Sequence, residues 1–189
     1  MSIDKTIRML LKNRLPRSFY DRDAETVARD LLGKQLVCGD RVGRIVEVEA
    51  YLGEHDQAAH SCKGLTPRTK VMFGPPGFAY IYLIYGMYHC MNVVTESEGK
   101  ASAVLLRAVE PLKNIELRTQ GPGLLSKAMG IDKSLNAHDL LSDNFFIADG
   151  GEQHFTIIKK PRIGVDYAGV WAKKLLRFYI KDNAFVSRK

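Results

Sequence analysis

The sequence predicts a single-domain α+β fold built on a largely antiparallel sheet. Three observations lead there. Strand-like runs come in pairs joined by tight glycine-containing turns, helical patterns are few and stand between those pairs, and no repeat, low-complexity block or Pro/Gly/Ser linker divides the chain. At 189 residues one domain, residues 1–189, is expected, with a core large enough to need no disulfide staples.

Taken in order, "DRDAETVARDLLGK" carries an aspartate near its start, apolar Val27, Leu31 and Leu32 at helical spacing and Gly33 as a stop, so a helix is predicted from about Asp21 to Leu32. "QLVCGDRVGRIVEVEAY" reads as a hairpin turning at Gly39-Asp40. In its second strand, alternation sends Ile45, Glu47, Glu49 and Tyr51 to one face and Val46, Val48 and Ala50 to the other. A long irregular segment, Leu52 to Pro76, follows and carries His55, His60, Arg68 and Lys70; connections of that length inside a compact domain tend to be functional. "FAYIYLIY", a Gly86-Met87 turn and "YHCMNVVT" form a second hairpin, and "ASAVLLRAVEP" is a strand expected to stop at Pro111. "GPGLLSKAMGI" places Pro122 at the start of a helix and Gly130 at its end. "HFTIIKKPRIGV" and "RFYIK" are two further short strands.

Lys and Arg number 28 against 21 Asp and Glu, a net +7 that suggests a polyanionic partner without naming one. Cys38, Cys62 and Cys90 are odd in number and scattered, which argues for a reducing compartment rather than a disulfide framework. The apolar patch Met9 to Leu11 is too short for a signal peptide and no run approaches a membrane span, so no membrane partner is expected.

Four features carry chemistry. Glu47 and Glu49 put two carboxylates on one face of an apolar strand, where burial would raise a pKa and tune a general base; on spacing alone a solvated face, or pairing with an arginine such as Arg44 or Arg107, is the better explanation. His55, His60, Cys62, His89 and Cys90 fit no standard metal template, so no metal is expected and His60 reads as a hydrogen-bonding group near the loop's site. Alternation assigns Tyr80 and Tyr82 to the core, but Tyr85 falls at the lip of a turn, where an aromatic is exposed or inserts into something. The basic runs Lys159 to Arg162 and Lys173 to Arg177 are solvated faces or, together, a track for phosphates.

"VEVEAYLGEHDQAAH", then "TPRTKVMFGPPGFAYIYLIYGMYHCMNVV", "AVLLRAVEP", "GPGLLSKAMGI" and "RIGVDYAGVWAKKLLRFYI" resemble, in that order, the alkyladenine DNA glycosylases, the mammalian-type methylpurine or 3-methyladenine family. The resemblance begins at about Arg14; residues 1–13 lie outside it and are assigned no role. It implies a curved sheet with surrounding helices and a protruding β-hairpin. It further implies a monofunctional, cofactor-free monomer that flips alkylated or deaminated purines out of duplex DNA and hydrolyses the N-glycosidic bond in base-excision repair. On the matching positions Glu49 is the general base and Arg107 orients it or the water. Tyr51, His60 and Tyr82 wall the base pocket, Asn92 excludes the 2-amino group of normal guanine, and Tyr85 intercalates. No residue matches a Schiff-base nucleophile. A cytoplasmic location is expected, at the nucleoid if bacterial and in the nucleus if eukaryotic; the lack of a long N-terminal extension leans to the bacterial case. Competing readings are a noncatalytic nucleic-acid-binding module, which Glu49 in the pocket argues against, and a metal-dependent hydrolase.

Overall fold

A computed structural model describes residues 4–151 and 153–189. The chain runs α1 (Lys5–Lys12), α2 (Arg17–Tyr20), α3 (Ala24–Leu31), β1 (Gln35–Cys38), β2 (Arg41–Tyr51), β3 (Ala79–Ile84), β4 (Tyr88–Thr95), β5 (Ser102–Lys113), α4 (Pro122–Met129), β6 (Phe145–Ala148), β7 (Ile157–Lys160) and β8 (Arg177–Ile180). The eight strands form one curled, antiparallel sheet in the order β3-β4-β5-β2-β1-β6, as an α+β fold requires. At β2 the sheet forks: the first part of that strand pairs with β1 and the second, Glu47 to Glu49, with β8, which also pairs with β7. Helices α3 and α4 pack on β2 and β5 and on β4 and β5, and the main core fills the space between.

Local chemistry explains the element ends. Asp23 accepts from the Thr26 N–H at 2.9 Å, so α3 begins at Ala24 rather than at Asp21, and it closes at Leu31. Pro122 and left-handed Gly130 bound α4 as predicted. The first hairpin turns at Gly39-Asp40, between the paired Cys38 and Arg41.

Three expectations are corrected. β5 runs through Pro111 to Lys113, because the proline sits beside a register irregularity and β4 has already left that edge at Leu105. Strict alternation fails in β2: the register shifts between Ile45 and Glu47, so Ile45 joins Val46, Val48 and Ala50 in the core instead of sharing the glutamate face. The second hairpin has a three-residue turn, since Ile84 pairs with Tyr88; Tyr85 stands in the turn itself, with φ +54°. The segment from Leu52 to Pro76 is irregular apart from short 3-10 turns at His60–Lys63 and Lys70–Phe73. Among the described residues no helix is long and apolar enough to cross a membrane.

Candidate active site

Register brings the site together. Tyr80 of β3 lies opposite Asn92, Asn92 opposite Leu105, Leu105 opposite Glu49, and Glu49 opposite Arg177, so one row crosses five strands. Directly paired residues share a face, and this row places Glu49 and Asn92 on the same side of the sheet. The long segment after β2 folds over that side, and α4 starts beside it.

The result is a cavity of about 590 Å³ lined by Tyr51, His60, Tyr82, Asn92 and Arg107, with Tyr85 on the hairpin at its edge. Glu49 does not itself line the cavity; it lies one layer behind Tyr51, Arg107 and Ile163, which do. Its Oε1 accepts from the Ile163 N–H at 2.8 Å and faces an Arg107 guanidinium nitrogen at 3.2 Å, and its Oε2 accepts from the Tyr51 hydroxyl at 2.9 Å. A carboxylate has about four lone-pair positions, so three partners leave one for a water proton. Complete burial raises the Glu49 pKa above the ordinary carboxylate value against the pull of Arg107 and the two hydrogen bonds.

Glu47 is buried too, but every contact it makes is structural. Its Oε1 meets Arg107 and Arg177, both at 3.1 Å, and its Oε2 accepts from the Ser187 N–H at 2.6 Å. Both glutamates therefore pair with Arg107, but Glu49 also touches Tyr51 and Ile163 of the cavity wall, whereas the other partners of Glu47, Arg177 and Ser187, are not lining residues. Arg44 pairs elsewhere, with Glu110.

The walls are held by polar second contacts. Tyr51 lies under the Arg162 guanidinium at 4.6 Å, and Arg162 is itself locked to Asp56 in an ion pair that is wholly buried. His60 shares a hydrogen bond with the Tyr80 hydroxyl at 3.0 Å and meets Tyr82 edge-on at 4.5 Å. Burial, aided by the charge of Arg68, pushes the His60 pKa down to about 4, so the imidazole is neutral at physiological pH. Asn92 donates to the Tyr80 carbonyl at 3.1 Å, which fixes its carboxamide in the cavity wall. Tyr80 is buried in a small core, as alternation predicts, with Tyr82 half-buried against it, and both rings also line the cavity. Tyr85 is 85% exposed at the hairpin tip.

Sequence reasoning missed several supports. The two basic runs split by residue type: Arg162 and Arg177 turn inward onto carboxylates, while Lys159, Lys160, Lys173 and Lys174 stay exposed. The Ile163 N–H and the Ser187 N–H carried no signal, because backbone donors are invisible in a residue pattern. His55 meets Trp171 edge-on at 5.5 Å, and among the described residues no group of three His, Cys, Asp or Glu is placed to hold a metal ion.

The family described as methylpurine-DNA glycosylase matches residues 18–184. A protein named "Putative 3-methyladenine DNA glycosylase" from Legionella pneumophila strain Lens is 68% identical over 180 residues, spanning 93% of this chain and 98% of its own. Proteins with the same name from Myxococcus xanthus, at 52% over 183 residues, and Alkaliphilus oremlandii, at 49% over 201, match 93% of this chain and 94% and 100% of theirs.

Proposed function

Because this chain belongs to the methylpurine-DNA glycosylase family, and is thus a DNA glycosylase and hydrolase, we propose that it flips alkylated or deaminated purines from duplex DNA and hydrolyses their N-glycosidic bond. The observation that carries this reading is the buried Glu49, with one lone-pair position left beside an aromatic cavity.

The chemistry follows from the arrangement. A stacked base cannot be reached, so the nucleotide rotates out, Tyr85 fills the gap and the base enters between Tyr51, His60 and Tyr82. Stacking offers about 1 to 3 kcal/mol per base, comparable with the few kcal/mol that unstacking costs. A neutral His60 and electron-rich rings accept a cationic alkylated purine without repulsion. Water attacks C1′ of the deoxyribose, the C1′–N9 bonding pair departs with the purine, and the water proton passes to Glu49, whose charge also stabilises the developing oxocarbenium. Arg107 holds the carboxylate in place, and the Tyr51 hydroxyl and Ile163 N–H fix its plane. Asn92 clashes with a 2-amino group and so disfavours normal guanine, while adenine-derived bases and hypoxanthine escape. DNA carrying a damaged purine is the partner, and the exposed lysines supply its non-specific hold.

The test is a set of duplexes carrying 3-methyladenine, 7-methylguanine, hypoxanthine or ethenoadenine, incubated in EDTA and resolved on a gel after alkaline cleavage of abasic sites. Abasic sites at one or more lesions are expected; none at any lesion overturns the reading, and cleavage only without EDTA overturns the metal-free chemistry.

A further inference from the structure

Arg68 stands where two functions meet. It is exposed, it lines the base cavity, and it also lines an adjoining, more polar chamber of about 950 Å³ whose wall includes Lys63, Thr66 and His55. Its guanidinium carbon lies 5.3 Å from the centre of the Tyr82 ring. That ring is already approached by His60 at 4.5 Å and by Tyr80 at 5.6 Å. None of the ion pairs formed among the described residues includes Arg68, although Glu54 borders the same chamber. An arginine over an aromatic face is held by the ring quadrupole, and the same face is what a purine would stack upon.

We propose that Arg68 covers the purine-stacking face of Tyr82 in the free protein and surrenders it to the flipped base by turning onto a DNA phosphate. The proposal rests on Tyr82 as a wall of the base slot. Backbone engagement and slot opening then become one event: a phosphate attracts the guanidinium more strongly than a neutral ring does, and the base takes the vacated face. Off DNA, the slot is guarded against free purines, which bring no phosphate with them. The side chain also discriminates by charge, since a cationic base and the guanidinium cannot share the slot until Arg68 has left.

Two affinities that move in opposite directions test this. Ethenoadenine as a free base is titrated by fluorescence into the wild type, Arg68→Met and Arg68→Lys, and the same proteins are titrated with an ethenoadenine duplex across a salt series. Arg68→Met is expected to bind the free base about two- to fivefold tighter. It is expected to bind the duplex more weakly, with a salt slope shallower by about one. Arg68→Lys restores the slope. Free-base binding that is unchanged, weaker or undetectable in Arg68→Met overturns the proposal, as does an unchanged salt slope. Those failures leave lesion excision by the wild type intact, whereas failure of the glycosylase reading appears as no excision by the wild type at all.

Discussion

Glu49 has to be ionised to accept a proton, and its burial holds the ionised form at a disadvantage. The acid limb of the kcat/KM profile is therefore expected above the ordinary value of 4.5, with activity lost as pH falls through the raised pKa. Glu49→Gln keeps the shape but not the base, so excision drops by about 10²- to 10⁴-fold while lesion duplex still binds; single-turnover kinetics and a binding titration check both. Full turnover by this variant would remove Glu49 from the chemistry. At Tyr85, replacement by serine deletes a ring that borders the cavity only at its edge, and flipping should weaken by about 1 to 3 kcal/mol, read as a smaller fluorescence change with an ethenoadenine duplex. An equal signal would make Tyr85 structural. Residue spacing could show that Glu47 and Glu49 shared a face, yet could not choose between them. The choice depends on Ser187, 140 positions away, and on Ile163, 114 away, and contacts of such separation leave no local trace.

The elements were more legible than the site, for a physical reason: caps, turns and alternation are local. The hairpins at Gly39-Asp40 and near Gly86, the Pro122-to-Gly130 helix and both C-terminal strands follow from neighbouring residues. The exceptions are places where a partner strand overrides local preference, as at Pro111 and in the bulged β2. α1 and β6 also escaped: they are short, and Ile7 and Leu10 declare their purpose only against Val37, Val42 and Phe146 in a small core of their own. Close packing between α4 and β4 offers a test at this scale. A Cβ on Gly123 would lie 2.8 Å from the Cβ and Cγ of Tyr88, atoms too near the backbone to swing aside. Gly123→Ala should push α4 off β4, costing about 1 to 3 kcal/mol and lowering the thermal midpoint. An unchanged midpoint would mean that the helix rides freely on the sheet. Because Gly123 and Tyr88 both line the base cavity, lesion affinity should fall with it.

Over the whole molecule, the net +7 charge is divided between work inside and outside. Arg107, Arg162 and Arg177 spend their charge on buried carboxylates, while Lys159, Lys160, Lys173 and Lys174 keep theirs in solvent. Duplex affinity should fall steeply with salt, and the slope should shrink by about 0.9 for each of these lysines that meets a phosphate once it is changed to glutamine. A salt slope untouched by all four changes would place the DNA on another face. The buried set has a different consequence. Arg177 bonds Glu47 and also the carbonyl of Arg188, and the Ser187 N–H closes the other side of Glu47. A polypeptide that the ribosome has carried only as far as Lys173 lacks all three contacts, so its sheet holds Glu47 without its clasp and β2 without its second neighbour. Because Arg107 bridges Glu47 and Glu49, the stretch from Arg177 to Arg188 reaches the candidate base through one shared guanidinium, although it lies more than 120 positions further along the chain.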